Sequence, residues 1–198
     1  MDKPLFSFIV VCYERYNNVQ CLIYSLLSQT YDNFEVILIH DGYNPKHETT
    51  IHPYLTDKRF KYIYTNERYN DWGMSLRNKG LQLAKGKWII NTNDDNYYVP
   101  VYLEELTKII PNNPECNFIY YDCVLNHHNI INHNKKDYGL LVPQLKHSYV
   151  DMGQFAVKKE IITKYQFESV APADGVLIEK MKHELVPEYI DKILFVHN

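Results

Sequence analysis

Apolar residues along this chain come in short continuous runs, separated by segments where they recur every third or fourth position. Residues 5–11 are almost wholly apolar, and residues 33–39 repeat that character. Strands that read this way are covered on both faces. Between them Val19, Leu22, Ile23, Leu26 and Leu27 fall on one helical stripe, which stops near Gln29 and Thr30. Strand, crossover helix and strand in that order predict a parallel α/β sheet. Residues 43–58 read as loop and short helix, and residues 60–64 as a third strand. Met74, Leu76, Leu81, Leu83 and Ala84 predict a second helix, closed by Gly86 as a C-cap. A buried strand follows from Trp88. Pro100 sits where a helix over Val101–Leu106 would start, and that helix ends before Pro111. Further on, residues 117–124 and 149–157 read as strands, 158–165 as a helical turn or two, and 187–196 as a last short strand.

The chemistry gathers where strands end. The run from Trp88 finishes in Asp94-Asp95-Asn96, two adjacent carboxylates at the position where open α/β sheets place ligands. Such a pair repels itself, and a divalent cation would relieve the repulsion; the plainer alternative is an acidic turn. Asp41 likewise follows a strand. It is either half of a turn-forming Asp-Gly pair or a carboxylate that accepts hydrogen bonds from a bound base or ribose. His40 beside it reads as a hydrogen-bonded structural histidine. Arg77 and Asn78 lie near a helix start, which favours anions. Asp174 opens an amphipathic helix as N-cap or first-turn acid. His127, His128 and His133 sit in an asparagine-rich tract without strong zinc spacing or a closing cysteine, so that tract reads as a polar hairpin or specificity loop.

Composition narrows the class. The chain has 198 residues, of which 45% are apolar, enough for one substantial core in a single domain over residues 1–198. A net charge of −3 gives no bulk basic surface, so no nucleic-acid partner is expected. Tyrosine and asparagine are abundant. Cys12, Cys21, Cys116 and Cys123 form no C-x-x-C pair, and the sequence shows no signal peptide or long apolar segment. A reducing cytoplasmic setting is expected, with the thiols as small core groups.

Taken together, the ordered motifs resemble the family 2 glycosyltransferases that use nucleoside-diphosphate sugars. The resemblance rests on Leu26-Leu27-Ser28-Gln29-Thr30-Tyr31 leading into Phe34-Glu35, Asp41-Gly42, Arg77-Asn78-Lys79-Gly80, Ala84-Lys85-Gly86-Lys87-Trp88, and Asp94-Asp95-Asn96 with Pro100. It is dense through residue 106, sparse over 107–148, and returns near Gly153 and Asp174. Within the family it is most similar to single-domain bacterial enzymes that decorate polysaccharides or spore surfaces. The resemblance implies the GT-A fold, a Rossmann-like, mostly parallel sheet flanked by helices. It further implies a nucleotide-sugar half (1–106), an acceptor half (107–198), and inverting sugar transfer from a donor, by family habit UDP-linked, to a carbohydrate acceptor.

On the same resemblance Tyr13 and Asp41 meet the base, Asp94 faces the ribose, Asp95 holds Mg2+ or Mn2+, Asp174 is the base catalyst, and His197 matches a late histidine near the metal. A lipid-linked acceptor would require peripheral contact at the inner face of the membrane. Several positions depart from the family pattern. Val11-Cys12 replaces Pro-Thr before Tyr13, Glu14 replaces asparagine, His40 stands where an aspartate commonly precedes Asp41, Asn93 takes the first place of the acidic tract, and Ala173 stands where an acid often precedes Asp174. These leave the donor open. A nucleotidyltransferase acting on a sugar phosphate, or a non-catalytic nucleotide- or carbohydrate-binding protein, are the alternative readings.

Overall fold

The structure is a computed structural model that describes residues 3–128, 136–146, 149–169 and 173–198. In chain order it forms β1 (Phe6–Cys12), α1 (Tyr16–Leu27), β2 (Phe34–His40), α2 (Pro45–Ile51), β3 (Phe60–Tyr64), α3 (Met74–Leu83), β4 (Trp88–Asn93), β5 (Tyr97–Tyr98), α4 (Tyr102–Ile109), β6 (Phe118–His128), β7 (Lys136–Leu141), β8 (Phe155–Lys158), α5 (Lys159–Ile162), α6 (Ala173–Met181) and β9 (Pro187–His197). Short 3-10 turns at His52–Thr56, Met152–Gln154 and Lys182–Glu184 link them.

The strands build one nine-stranded sheet in the order β3-β2-β1-β4-β8-β6-β9-β5, with β7 paired to β6. β3, β2, β1 and β4 run parallel. Beyond β4 the sheet is mixed: β8 is antiparallel to β4 and β6, and β9 returns parallel to β6. The sheet therefore runs unbroken from the first half of the chain into the second.

Alternation along β1 explains its continuous apolar run. Phe6, Phe8 and Val10 pack on one face with Val19, Leu22, Ile23 and Leu26 of α1 and Leu103 and Leu106 of α4. Ile9 and Val11 point the other way, with Ile37 and Ile39 of β2, Leu76 and Leu81 of α3, and Leu177 and Ile178 of α6. With helices on both sides, neither face of the central strands can be polar. Among the described residues no helix is long and apolar enough to cross a membrane.

Four sequence expectations need correction. α3 closes at Ala84, whose N–H bonds Gly80 O, so Gly86 is no C-cap. Glycine is required there by crowding: a Cβ on Gly86 would stand 2.6 Å from the Phe6 carbonyl carbon and the Ser7 nitrogen. Residues 149–157 are only half strand. Asp151 caps the Met152–Gln154 turn and β8 starts at Phe155, because the Gln154 amide turns inward to donate to the Tyr121 and Leu141 carbonyls. Pro100 precedes the α4 N-cap, Val101, instead of opening the helix. Cys21 is exposed, while the other three thiols are buried; all four are free. Most of the histidine-rich tract, including His133, lies outside the described residues.

Close approach at Gly86 is tied to a buried polar knot. The Gly86 N–H donates to Ser7 Oγ at 2.7 Å, Ser7 Oγ donates to Glu35 Oε1 at 2.8 Å, and Lys61 Nζ donates to Glu35 Oε2 at 2.6 Å. Gly86→Ala should therefore destabilise the fold by about 1–3 kcal/mol through overpacking against backbone. Urea unfolding would show this as a lower midpoint at constant slope; an unshifted midpoint would mean that the contact relaxes freely.

Candidate active site

The loops leaving β1, β2 and β4 emerge at one edge of the sheet, where the topology turns from the β1-β2-β3 direction to β4. Ligands of open α/β sheets sit at such a switch. The acidic corner after β4 is held from within. Asp94 is 0% exposed; its Oδ2 accepts from the Tyr13 N–H at 2.9 Å and its Oδ1 from Arg15 Nη1 at 3.0 Å. Burial pushes its pKa up to about 6, against the pull of the Tyr13 hydrogen bond and Arg15. The same Arg15 nitrogen lies 3.2 Å from Asp95 Oδ2. One guanidinium thus separates two like charges. Asp95 Oδ1 is buried with no hydrogen-bond partner, an acceptor left available.

His197, at the end of β9, comes to this corner. Its Nδ1 lies 2.9 Å from Asp151 Oδ2. Burial alone would lower its pKa, but Asp151 and Asp95 outweigh that and raise it. The contact is an ion pair and lacks hydrogen-bond alignment, since His197 Nδ1 has no hydrogen-bond partner among the described residues. Asp151 is itself fixed by a capping box: its Oδ1 accepts from the Gly153 N–H at 2.8 Å, and its own N–H donates to Gln154 Oε1 at 2.9 Å. Neither Arg15 nor Asp151 was singled out from the sequence. The Asp-x-x-Gln spacing of Asp151 and Gln154 is a local cap signal; Arg15 carries none, since its partner Asp94 is 79 residues away.

Asp41 and Tyr13 line a cavity of about 440 Å³ together with Arg15, Arg68, Trp72 and Asn93. Asp41 accepts from the Tyr69 and Asn70 N–H groups at 2.8 and 2.9 Å, which pins the loop after β3 across the cavity. His40 is structural: its Nδ1 pairs with Gly42 O and its Nε2 accepts from the Glu14 N–H. Arg77 is only 3% exposed. It donates to Asn93 Oδ1 at 2.6 Å and to Trp72 O at 3.1 Å, so it braces the cavity wall from beneath. Burial lowers its pKa to about 10, although Asp151 and Asp174 pull upward.

Asp174 lies in the first turn of α6 and accepts from the Gly175 N–H. Burial raises its pKa and nearby Asp151 adds to the rise, while Arg77 opposes it. Asp95 and Asp174 both feel the charge of Asp151, whereas Asp41 is joined to this corner only through the cavity that it lines together with Arg15.

Among the described residues one cluster of three side chains could hold a metal ion. Ligand atoms of Cys12, His47 and Asp94 lie within 4.8 Å of one another in the interior, and neither ring nitrogen of His47 has a partner. Burial pushes the Cys12 thiol well up and His47 down to about 4. That trio includes a thiol, which suits softer ions, and it is closed to solvent. Mg2+ and Mn2+ prefer oxygen donors. Asp95 offers an oxygen of that kind, its Oδ1 being buried without a hydrogen-bond partner.

Comparisons with known proteins agree with this architecture. A family model described as "Glycosyl transferase family 2" matches residues 7–165. An uncharacterised glycosyltransferase of Haemophilus influenzae is 32% identical over 119 residues, covering 59% of this chain, while the chain spans 38% of that relative. Among solved structures, S. aureus TarS 1–349 in complex with UDP-GlcNAc superposes with a TM-score of 0.78 at 15% identity, over 96% of this chain and 57% of that one. The mannosyltransferase PcManGT from Pyrobaculum calidifontis, in complex with GDP-Man and Mn2+, superposes with a TM-score of 0.75 at 15% identity, over 100% of this chain and 57% of that one. At these identities the likeness is one of fold.

Arg15→Ala should destabilise the protein by about 1–3 kcal/mol at pH 7.5, less than for a fully buried pair because Arg15 is half exposed. The lost attraction needs ionised carboxylates, and Asp94 titrates at about 6. The difference from the parent should therefore be present above pH 6 and shrink towards pH 4. Thermal unfolding at the two pH values measures it; an equal loss at both would show that Arg15 acts by packing alone.

Proposed function

The chain belongs to glycosyl transferase family 2, and on that premise we propose that it is an inverting glycosyltransferase. It would move a sugar from a nucleoside-diphosphate sugar to a hydroxyl of a glycan or lipid-linked acceptor in surface polysaccharide synthesis. The observation that carries this reading is the corner itself. Asp95 keeps an unpartnered buried oxygen and pairs with Arg15, which lines a cavity of about 440 Å³, and Asp95 and Asp174 both feel the charge of Asp151.

In this reading residues 1–106 bind the donor and residues 107–198 supply most of the acceptor side. Asp41 and Tyr13 meet the base. Asp94 sits beneath the ribose region, where it holds the Tyr13 loop and Arg15. Arg77 supports the diphosphate wall through Asn93 and the Trp72 carbonyl. Asp95 and His197, the latter oriented by Asp151, would hold Mg2+ or Mn2+; when bound, that cation would neutralise charge developing on the departing diphosphate. UDP is the proposed carrier, supported by family habit and by the UDP-GlcNAc bound to TarS.

Asp174 is the proposed general base. Burial raises its pKa, which strengthens it as a proton acceptor provided the pH lies above the raised value. It would take the proton of the acceptor hydroxyl as the oxygen attacks the anomeric carbon and the diphosphate leaves from the opposite face. Holding the hydroxyl in line contributes further, since orientation can be worth several powers of ten. Transfer should accordingly fall on the acid side, as Asp174 becomes protonated.

Two variants test the assignments. Asp174→Asn should lower transfer by about a hundredfold or more while donor affinity stays within a few-fold, by calorimetry. Asp95→Ala should lose most of the Mn2+-dependent part of nucleotide binding. Unchanged turnover in the first, or an unchanged Mn2+ titration in the second, would refute the role concerned. Incubation with a doubly labelled nucleotide sugar tests the class: transfer of sugar alone supports the proposal, and transfer of the nucleotide would replace it with a nucleotidyltransferase.

A further inference from the structure

Trp72 combines features that a merely structural residue does not need. It is 90% exposed, yet it contributes to the wall of the cavity that holds Asp41 and Tyr13. Its φ is +60°, a left-handed conformation that a bulky side chain rarely adopts. The segment around it is tightly fixed. Asp41 holds the N–H groups of Tyr69 and Asn70, Asp71 accepts from the N–H groups of Gly73 and Ser75 at 3.1 and 2.8 Å, and buried Arg77 holds the Trp72 carbonyl. A large apolar ring is thus displayed to solvent on a strained backbone that three charged side chains keep in place.

The other aromatic side chain at this wall is already engaged. The guanidinium of Arg68 lies 3.9 Å from the centre of the Tyr13 ring, and the His40 ring lies 5.9 Å away at a tilt of 32°. Arg68 thus covers one face of Tyr13, and among the described residues the ring at this wall without a ring or cation contact is that of Trp72. The same cavity is lined by Asn70 and Asp41, joined by a hydrogen bond and able, as polar groups, to meet the edge of a planar heterocycle. Asp174 and His197, both from the second half of the chain, do not line this cavity.

We propose that Trp72 is the stacking platform for the nucleobase of the donor, with its loop set in place by Asp41, Asp71 and Arg77. This rests on reading the cleft as a nucleoside-diphosphate-sugar site, and it names the residue that supplies the flat contact there. Aromatic stacking tolerates any base, so Trp72 would contribute affinity and the polar edge groups would contribute choice.

The chain carries its own reporter, because it has two tryptophans and the other, Trp88, is fully buried. Quenching by acrylamide should act on Trp72 alone. Uridine and UDP should each change Trp72 emission and protect it from acrylamide, while inorganic pyrophosphate should not. Trp72→Ala should weaken UDP binding by roughly 5- to 150-fold by calorimetry, and Trp72→Phe should restore most of it. Because the side chain is exposed, both variants should keep the parent's circular dichroism and unfolding midpoint. If the parent binds UDP but its emission is unchanged, or if Trp72→Ala binds UDP as the parent does, the stacking role is overturned while the donor site stands. Protection by an oligosaccharide and not by uridine would also overturn it, in favour of an acceptor platform. If the parent binds no nucleotide at all, the donor-site reading falls, and this proposal with it.

Discussion

Two carboxylates placed side by side at the end of a buried strand are the constraint to which the rest of this structure answers. Asp94 and Asp95 cannot both be charged in a low-dielectric setting without a positive partner. Arg15 supplies one, with a single nitrogen within 3.0 Å of Asp94 and 3.2 Å of Asp95. The arrangement fixes the first loop, because Asp94 also holds the Tyr13 N–H. It leaves Asp95 with one oxygen unpaired in the interior. Such an atom is costly unless something else meets it, and a cation that arrives with the donor would do so.

Positive charge on this edge is distributed in layers. Arg15 faces the cleft, half exposed, while Arg77 lies buried below and donates to Asn93 and the Trp72 carbonyl. Asn93, in place of a third acid, accepts from Arg77 through its amide oxygen and adds no charge to an already acidic corner. His197 and Asp151 close the far side. The sheet topology makes this possible: β9 lies beside β6 and β5, so its last residue is delivered to the loop after β4.

The central strands were legible because helices cover both faces, and burial on both faces leaves an unbroken apolar run. The acids at strand ends were legible because their polarity interrupts those runs abruptly. What the sequence concealed depends on long-range partners. Gly86 looked like a helix cap because it follows the α3 pattern, but its reason is the backbone of β1, 79 residues earlier at its Ser7 hydrogen bond. Arg15 carries no local signal for the same cause, its partner Asp94 being 79 residues away. The tract from 149 to 157 alternates enough to suggest a strand throughout; the inward turn of Gln154 depends on carbonyls from β6 and β7 that no local pattern announces. Family resemblance supplied the proposed roles of Asp41, Asp95 and Asp174, and the structure adds Arg15 beside Asp95 and Asp151 near both Asp95 and Asp174.

The account turns on where a hard divalent cation settles: at the corner of Asp95 and His197, or in the group of Cys12, His47 and Asp94. Anomalous diffraction at the manganese edge, from crystals soaked with Mn2+ and a non-hydrolysable nucleotide sugar, separates the two. The account predicts a peak against the Asp95 carboxylate and His197 Nε2, in contact with the diphosphate. A peak confined to the Cys12 and His47 interior, or a diphosphate bound away from Asp95, would contradict it.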